Sequence, residues 1–158
     1  MSSTQSVPKA LPTEVRDLLV GAACSVCETT FFAFAEPAMP ELVATLADVE
    51  HWYHSEVSFS GPSSGQVFVS VPQALARDLF AAFLGFSDTG AANDAEVSDV
   101  VGEFTNMVCG SWLTLLGGET CFTLTHPEVT GGGLPAPAEH ALVLSVNDQP
   151  VVVRAEFA

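Results

Sequence analysis

The chain has 158 residues, 48% of them hydrophobic, which supports one domain with a sizeable core. Nineteen acidic residues face only four basic ones, Lys9, Arg16, Arg77 and Arg154, giving a formal net charge of −15. That field excludes nucleic acid, whose binding depends on Lys and Arg displacing condensed counterions, and it disfavours anionic membranes, while a protein partner is allowed.

Residues 1–11 read as a disordered lead-in, and residues 12–158 as a single domain. The lead-in is polar and lacks the apolar segment of a signal peptide. No apolar stretch approaches the roughly 20 residues of a membrane span, so a cytoplasmic location is expected. After Pro12 and Thr13, an apolar run predicts a helix from Glu14 to about Ala35, stopped by Pro37 and Pro40. Residues 41–50 fit a short helix or loop. From His54 the period changes to two. Val57 and Phe59, then Val67, Val69 and Val71 beyond the Gly61–Gly65 turn, predict a β-hairpin.

Pro72 opens a helix that ends at Leu84, with Gly85 as a left-handed cap. A polar loop, Asp88 to Asn93, precedes a longer helix. Asn93 followed by Glu96 resembles a capping box, and the helix extends to Leu116 before Gly117 and Gly118. A strand is predicted from Glu119 to Thr125, with Phe122 and Leu124 on one face. His126 to Ala138, rich in Gly and Pro, is predicted as loop. Two final strands, 140–147 and 151–157, are joined by Asn147-Asp148-Gln149-Pro150. The order α-β-β-α-α-β-β-β, dominated by hairpins, predicts an α+β fold. Its sheet is mainly antiparallel, with two long helices and a shorter one on one face.

The 94–116 helix concentrates the chemistry. At roughly 100° per residue, Val97, Val101, Phe104, Val108, Trp112 and Leu115 form one apolar stripe. Asp99, Glu103, Asn106 and Gly110 form a second stripe, roughly 160° away on the same count. Gly102 and Gly110 cost about 0.5–1 kcal/mol each relative to alanine inside a helix. They imply close approach of another surface, from a partner or from the same chain.

The alternatives are weaker. Cys24 and Cys27 form a CxxC, but within a helix rather than at a strand-to-helix junction, and Cys109 and Cys121 stand singly. All four are read as reduced core thiols, with no metal site. His51 and His54 have no third ligand nearby and suit strand-edge packing. Ser111 lacks a hydrolase elbow, and Gly131-Gly132-Gly133 lacks the Lys and helix of a phosphate loop.

The run Asp99-Val100-Val101-Gly102-Glu103-Phe104-Thr105-Asn106-Met107-Val108-Cys109-Gly110 resembles the signature helix of the CheX-like branch of the CheC/CheX chemotaxis phosphatase family. Phe59-Ser60-Gly61 with Gly65-Gln66-Val67, Ala76 to Gly85, and Thr125-His126-Pro127-Glu128-Val129 resemble other parts of the same family, so the likeness covers most of the chain. CheC-type relatives carry a second Glu-x-x-Asn on the first helix; here Cys27-Glu28-Thr29-Thr30-Phe31 has Phe at the Asn position, which points to the single-site form. Ser111 and Trp112 depart from the family pattern, and Trp112 falls on the core stripe.

The resemblance implies a phosphatase acting on the aspartyl phosphate of a CheY-like response-regulator receiver. Glu103 and Asn106 would be its catalytic pair, with Asp99, Gly102 and Gly110 facing the partner. It also implies a homodimer. No cofactor is expected on this chain, because the receiver supplies Mg²⁺. A catalytically silent receiver-binding module of the same fold is the alternative, and a metal or thiol sensor built on the four cysteines is a third reading.

Overall fold

The computed structural model describes residues 11–85, 92–117, 121–135 and 141–158. The expected lead-in, apart from Leu11, lies outside them, as do most of the 88–93 loop and Gly118 to Cys121's preceding residue, Thr120. In chain order the elements are α1 (Thr13–Thr30), β1 (Ala35–Pro37), α2 (Pro40–Val43), β2 (Trp52–Ser60), β3 (Gly65–Pro72), α3 (Gln73–Leu84), α4 (Asp94–Gly117), β4 (Thr123–Leu124), β5 (Glu128–Gly132), β6 (Leu142–Val146) and β7 (Gln149–Phe157). One 3₁₀ turn, Leu46–Asp48, follows α2.

The strands form one sheet of order β1-β6-β7-β3-β2-β4, with β5 also on β2, and every pair is antiparallel. The expected fold class is what is found. Alternation along the strands separates two faces. Tyr53, Val57 and Phe59 of β2, Val67, Val69 and Val71 of β3, and Val151, Val153 and Ala155 of β7 are buried in a core shared with α1, α3 and α4. α4 packs against α1 and α3 and against β2, β3 and β5.

Several boundaries differ from the sequence reading, each for a local reason. α1 ends at Thr30, five residues before Ala35, and without a proline. Phe32 takes a left-handed φ of 53°, and the Ala33 N–H donates to the Cys27 carbonyl at 2.9 Å. That turn drops Phe31 into the core, edge-on to Phe104 with ring centroids 5.3 Å apart. The aromatic burial offsets a φ that is unfavourable for a bulky residue. The chain then forms β1 against β6. The 128–132 stretch is strand, not loop, because β2 offers a free edge and Glu128 to Gly132 pair along it in register with Glu56 to Trp52. Thr123 and Leu124 alone form β4, shorter than the expected strand.

The last hairpin turns on two residues rather than four. Asn147 and Asp148 have φ of 47° and 65°, the left-handed pair that a tight hairpin turn requires and that Asn and Asp tolerate. Gly85, at φ 75°, caps α3 as its sequence position predicts. The Asn93 side chain accepts the Glu96 N–H at 2.9 Å, capping α4. Asp94 at its first position accepts the Tyr53 hydroxyl at 3.0 Å and pairs with Arg77 at 3.3 Å. These contacts fix where the long helix begins.

Not all the cysteines are core thiols. Cys27 and Cys109 are buried, and burial pushes both up to about 12, so they stay protonated at neutral pH. Cys24 is half-buried and Cys121 is exposed. All four are free, and among the described residues no three His, Cys, Asp or Glu side chains are grouped to hold a metal.

On the face of the sheet away from α4, Glu128, Glu56, Phe68 and Arg154 form one row across β5, β2, β3 and β7. Arg154 lies 4.0 Å over the Phe68 ring and pairs with Glu156. Desolvation, then the adjacent Glu128 carboxylate, raises the pKa of Glu56, and Arg154 opposes the shift. A raised folded-state pKa means stability that is present below the unfolded value and is lost as pH rises through the folded one. Glu56→Gln is therefore expected to stabilise the protein at pH 7 and to have little effect near pH 4. Urea midpoints at the two pH values check it.

Candidate functional site

α4 is buried over a wide arc. Val97, Val101, Phe104, Val108 and Trp112 are fully buried, as the apolar stripe predicts. Val100, Thr105, Cys109 and Leu113 are buried as well, because α4 lies between α1 and α3. The stripe stops one turn early: Leu115 is 52% exposed. Trp112 is wholly core, its indole N–H donating to the Val15 carbonyl at 3.0 Å and its ring packed on Phe59 and Phe157.

What remains open is the stripe with Asp99 and Glu103 exposed and Asn106 half-buried. Glu103 and Asn106, three residues apart, are neighbours on that surface, with about 5–6 Å between such Cβ atoms. The Asn106 amide makes no hydrogen bond to a described residue, so both of its polar atoms are available. Gly110, on the same stripe, faces open space, and a Cβ there would meet nothing within 4 Å.

Gly102 is different. It is buried, and a Cβ there would come within 3.1 Å of the Pro127 side chain and 3.3 Å of Val129. Its close approach is thus to the same chain. The segment that meets it carries a bulge. Between the pairs Glu56↔Glu128 and Phe59↔Leu124, β2 has Val57 and Ser58, whereas the opposing chain has Thr125, His126 and Pro127. One extra residue lifts the chain out of the ladder, and Pro127, with no N–H to donate, suits that place. Thr125 is held by two hydrogen bonds to Ser58, one from each backbone N–H.

The bulge and α4 enclose a cleft of ≈ 800 Å³. Ser98, Asp99, Gly102, Glu103 and Asn106 line one wall, and Leu124 to Pro127 with Val129 line the other. A smaller cavity of ≈ 260 Å³ lies on the face of the sheet away from α4, around Glu56, Phe68 and Arg154. The larger cleft gathers four of the five residues singled out from sequence. Sequence reasoning missed the opposite wall, having read His126 to Ala138 as loop. The alternation of Glu128, Val129 and Thr130 was the available signal, masked by the glycines after it.

A family model described as chemotaxis phosphatase CheX matches residues 53–147. The chain belongs to the CheX family. The match spans β2 to the turn after β6, and so includes the whole cleft. Solved structures of low identity share the fold. CheX from Vibrio vulnificus is 19% identical, with a TM-score of 0.71 over 92% of this chain and 97% of its own. CheX from Desulfovibrio desulfuricans is 20% identical, with a TM-score of 0.67 over 92% and 99%. The CheX–CheY–BeF₃–Mg²⁺ complex from Borrelia burgdorferi is 14% identical, with a TM-score of 0.56 over 90% and 97%. A search of curated protein sequences finds no match.

Because Asn106 is partnerless and off the core, Asn106→Ala is expected to change stability by roughly 0.5 kcal/mol or less, as surface substitutions do. Urea or thermal unfolding of the variant against the parent checks it.

Proposed function

We propose that this CheX-family protein hydrolyses the aspartyl phosphate of a CheY-like response-regulator receiver in chemotaxis or two-component signalling, acting in the cytoplasm. The observation that carries the reading is the side-by-side display of Glu103 and an unengaged Asn106 at an open cleft on a CheX-family helix. The Borrelia neighbour, a CheX bound to CheY with BeF₃ and Mg²⁺, supports it, since BeF₃ stands in for a phosphoryl group. Among the described residues no helix is long and apolar enough to cross a membrane.

An acyl phosphate is already activated, so the requirement is a water held in line with the P–O bond. Asn106 suits that role, because an amide both accepts and donates hydrogen bonds and does not titrate. Its oxygen accepts a hydrogen bond from the water, whose own oxygen attacks phosphorus as the bond to the aspartyl oxygen breaks, and the water's protons leave on the phosphate or to solvent. The products are the free carboxylate and inorganic phosphate. Glu103 docks on the receiver's active-site Lys through a charge-assisted contact, and Asp99 adds charge beside it. Mg²⁺ belongs to the receiver. Gly110 leaves room on the stripe for the receiver surface.

The catalytic and silent-binder readings separate on one variant. Asn106→Ala is expected to bind a phosphorylated receiver normally and to lose acceleration on the order of 100-fold, down to the receiver's own rate of dephosphorylation. Glu103→Gln instead should lose affinity and its salt dependence. Receiver-phosphate lifetimes and titrations at two salt concentrations measure both. Full acceleration by a folded Asn106→Ala protein would reject the water-positioning role of Asn106, and binding without any acceleration by the parent would leave only the binding module.

We extend the proposal to a homodimer paired through a sheet edge. The outer edge of β1 is unpaired among the described residues, and Phe32 and Phe34 beside it are 79% and 64% exposed. Light scattering at high micromolar concentration is expected to give twice the chain mass, and a monomer there would reject it.

A further inference from the structure

The cleft faces an anionic target with two carboxylates, Asp99 and Glu103, and no Lys or Arg among its lining residues. Its one side chain able to carry positive charge is His126, on the opposite wall. The backbone around that residue is held on both sides. Thr125 is bound to Ser58 by its N–H, at 2.9 Å, and by its hydroxyl, which accepts the Ser58 N–H at 3.0 Å. Pro127 has a fixed φ and rests on Gly102. The imidazole itself is exposed and has no hydrogen bond or ion pair with a described residue. An exposed side chain on a pinned backbone loses little freedom when it makes a contact, which is what favours a docking residue.

We propose that His126 is a second docking contact, taking an anionic phosphoryl oxygen of the receiver while Glu103 takes its Lys; this rests on the phosphatase reading above. The bulge sets the imidazole on the rim facing α4, so the two contacts grip a docked group from opposite walls. The charged groups that share the cleft with His126 are Asp99 and Glu103 on α4, whereas Glu128, two residues further along its own segment, lines the cavity on the opposite face of the sheet with Glu56 and Arg154. The two α4 carboxylates repel an incoming phosphoryl group, and an imidazolium offsets that repulsion. Imidazole is the side chain whose charge ordinarily changes between about pH 5 and 8, so the contact is expected to strengthen on mild acidification.

The test compares the full chain with His126→Ala and His126→Lys. Each is titrated with a CheY receiver, either loaded with BeF₃ and Mg²⁺ or unloaded, at about pH 6 and about pH 8. The parent is expected to bind the loaded receiver about threefold more tightly at the lower pH, the scale of an exposed ion pair. His126→Ala should be weak and flat across pH, and His126→Lys tight and flat. With phosphorylated receiver, His126→Ala should raise KM and retain kcat. An alanine variant with the parent's affinity and pH profile overturns the proposal. Equal loss toward loaded and unloaded receiver also overturns it, because the contact would then be to receiver carboxylates. Failure of the parent to bind or dephosphorylate any receiver rejects the phosphatase reading itself, and His126 with it.

Discussion

The burial of α4 is the constraint on which the rest of the molecule depends. The helix lies on the sheet with α1 on one side and α3 on the other, and its buried arc runs from Val97 and Val101 round to Cys109 and Leu113. Only a narrow strip is left to solvent, and Glu103 and Asn106 occupy it. A helix held on three sides cannot rotate about its axis without exposing Phe104 or Trp112. Fully burying one such aromatic contributes about 1.5–3 kcal/mol. The core thereby sets the direction in which a carboxylate and an amide point, and a positioning reaction requires that. The start of the helix is fixed separately, by the Asn93 cap and by the bonds of Tyr53 and Arg77 to Asp94.

A second constraint acts across the cleft. A side chain at position 102 would press on Pro127 and Val129, its Cβ alone at 3.1 and 3.3 Å, and Gly102 spares those residues that shift. The glycine's cost in helix propensity is thus tied to a packing contact within the chain. The two walls are coupled at this point. Pro127 sits against the helix one residue before Glu103 and one turn before Asn106, so the width of the cleft is set beside those two side chains. Gly110 has no such neighbour, and its open surroundings leave that end of the stripe accessible. The two glycines look equivalent in the sequence and do different things in the fold.

Much of this was legible from periodicity. The core stripe of α4, the hairpin of β2 and β3, the Gly85 cap and the Asn93 cap follow from local patterns with short reach. Phe31, at the position where the family resemblance would place the Asn of a second site, is a core aromatic packed on Phe104. What the sequence obscured depends on distant partners. β5 forms because the edge of β2 is free, and its glycines carry no strand signal of their own. α1 stops at Thr30 because Phe31 gains burial against Phe104, a residue on another helix, so no local breaker marks the end. Leu115 belongs to the apolar period but lies beyond the last turn of α4 that the core covers. The bulge is invisible in sequence, since it exists only as a register difference between two stretches paired with β2.

The distribution of the few basic residues completes the account of the site. Arg77 is committed to Asp94 and the Ala92 carbonyl. Arg154 is held over Phe68 and against Glu156 on the opposite face of the sheet. Neither lines the cleft, and with a net charge of −15 the chain cannot draw in a phosphorylated target by its overall field. On the proposed function, recognition then rests on short-range contacts that exist only once the surfaces meet. A cleft lined with permanent cations would hold any small phosphate, product included. One with an amide, carboxylates and a single imidazole has no fixed cation to hold free phosphate. On the proposed function, leaving those charges to the partner would select for a phosphoryl group carried on a protein that supplies its own Lys and Mg²⁺.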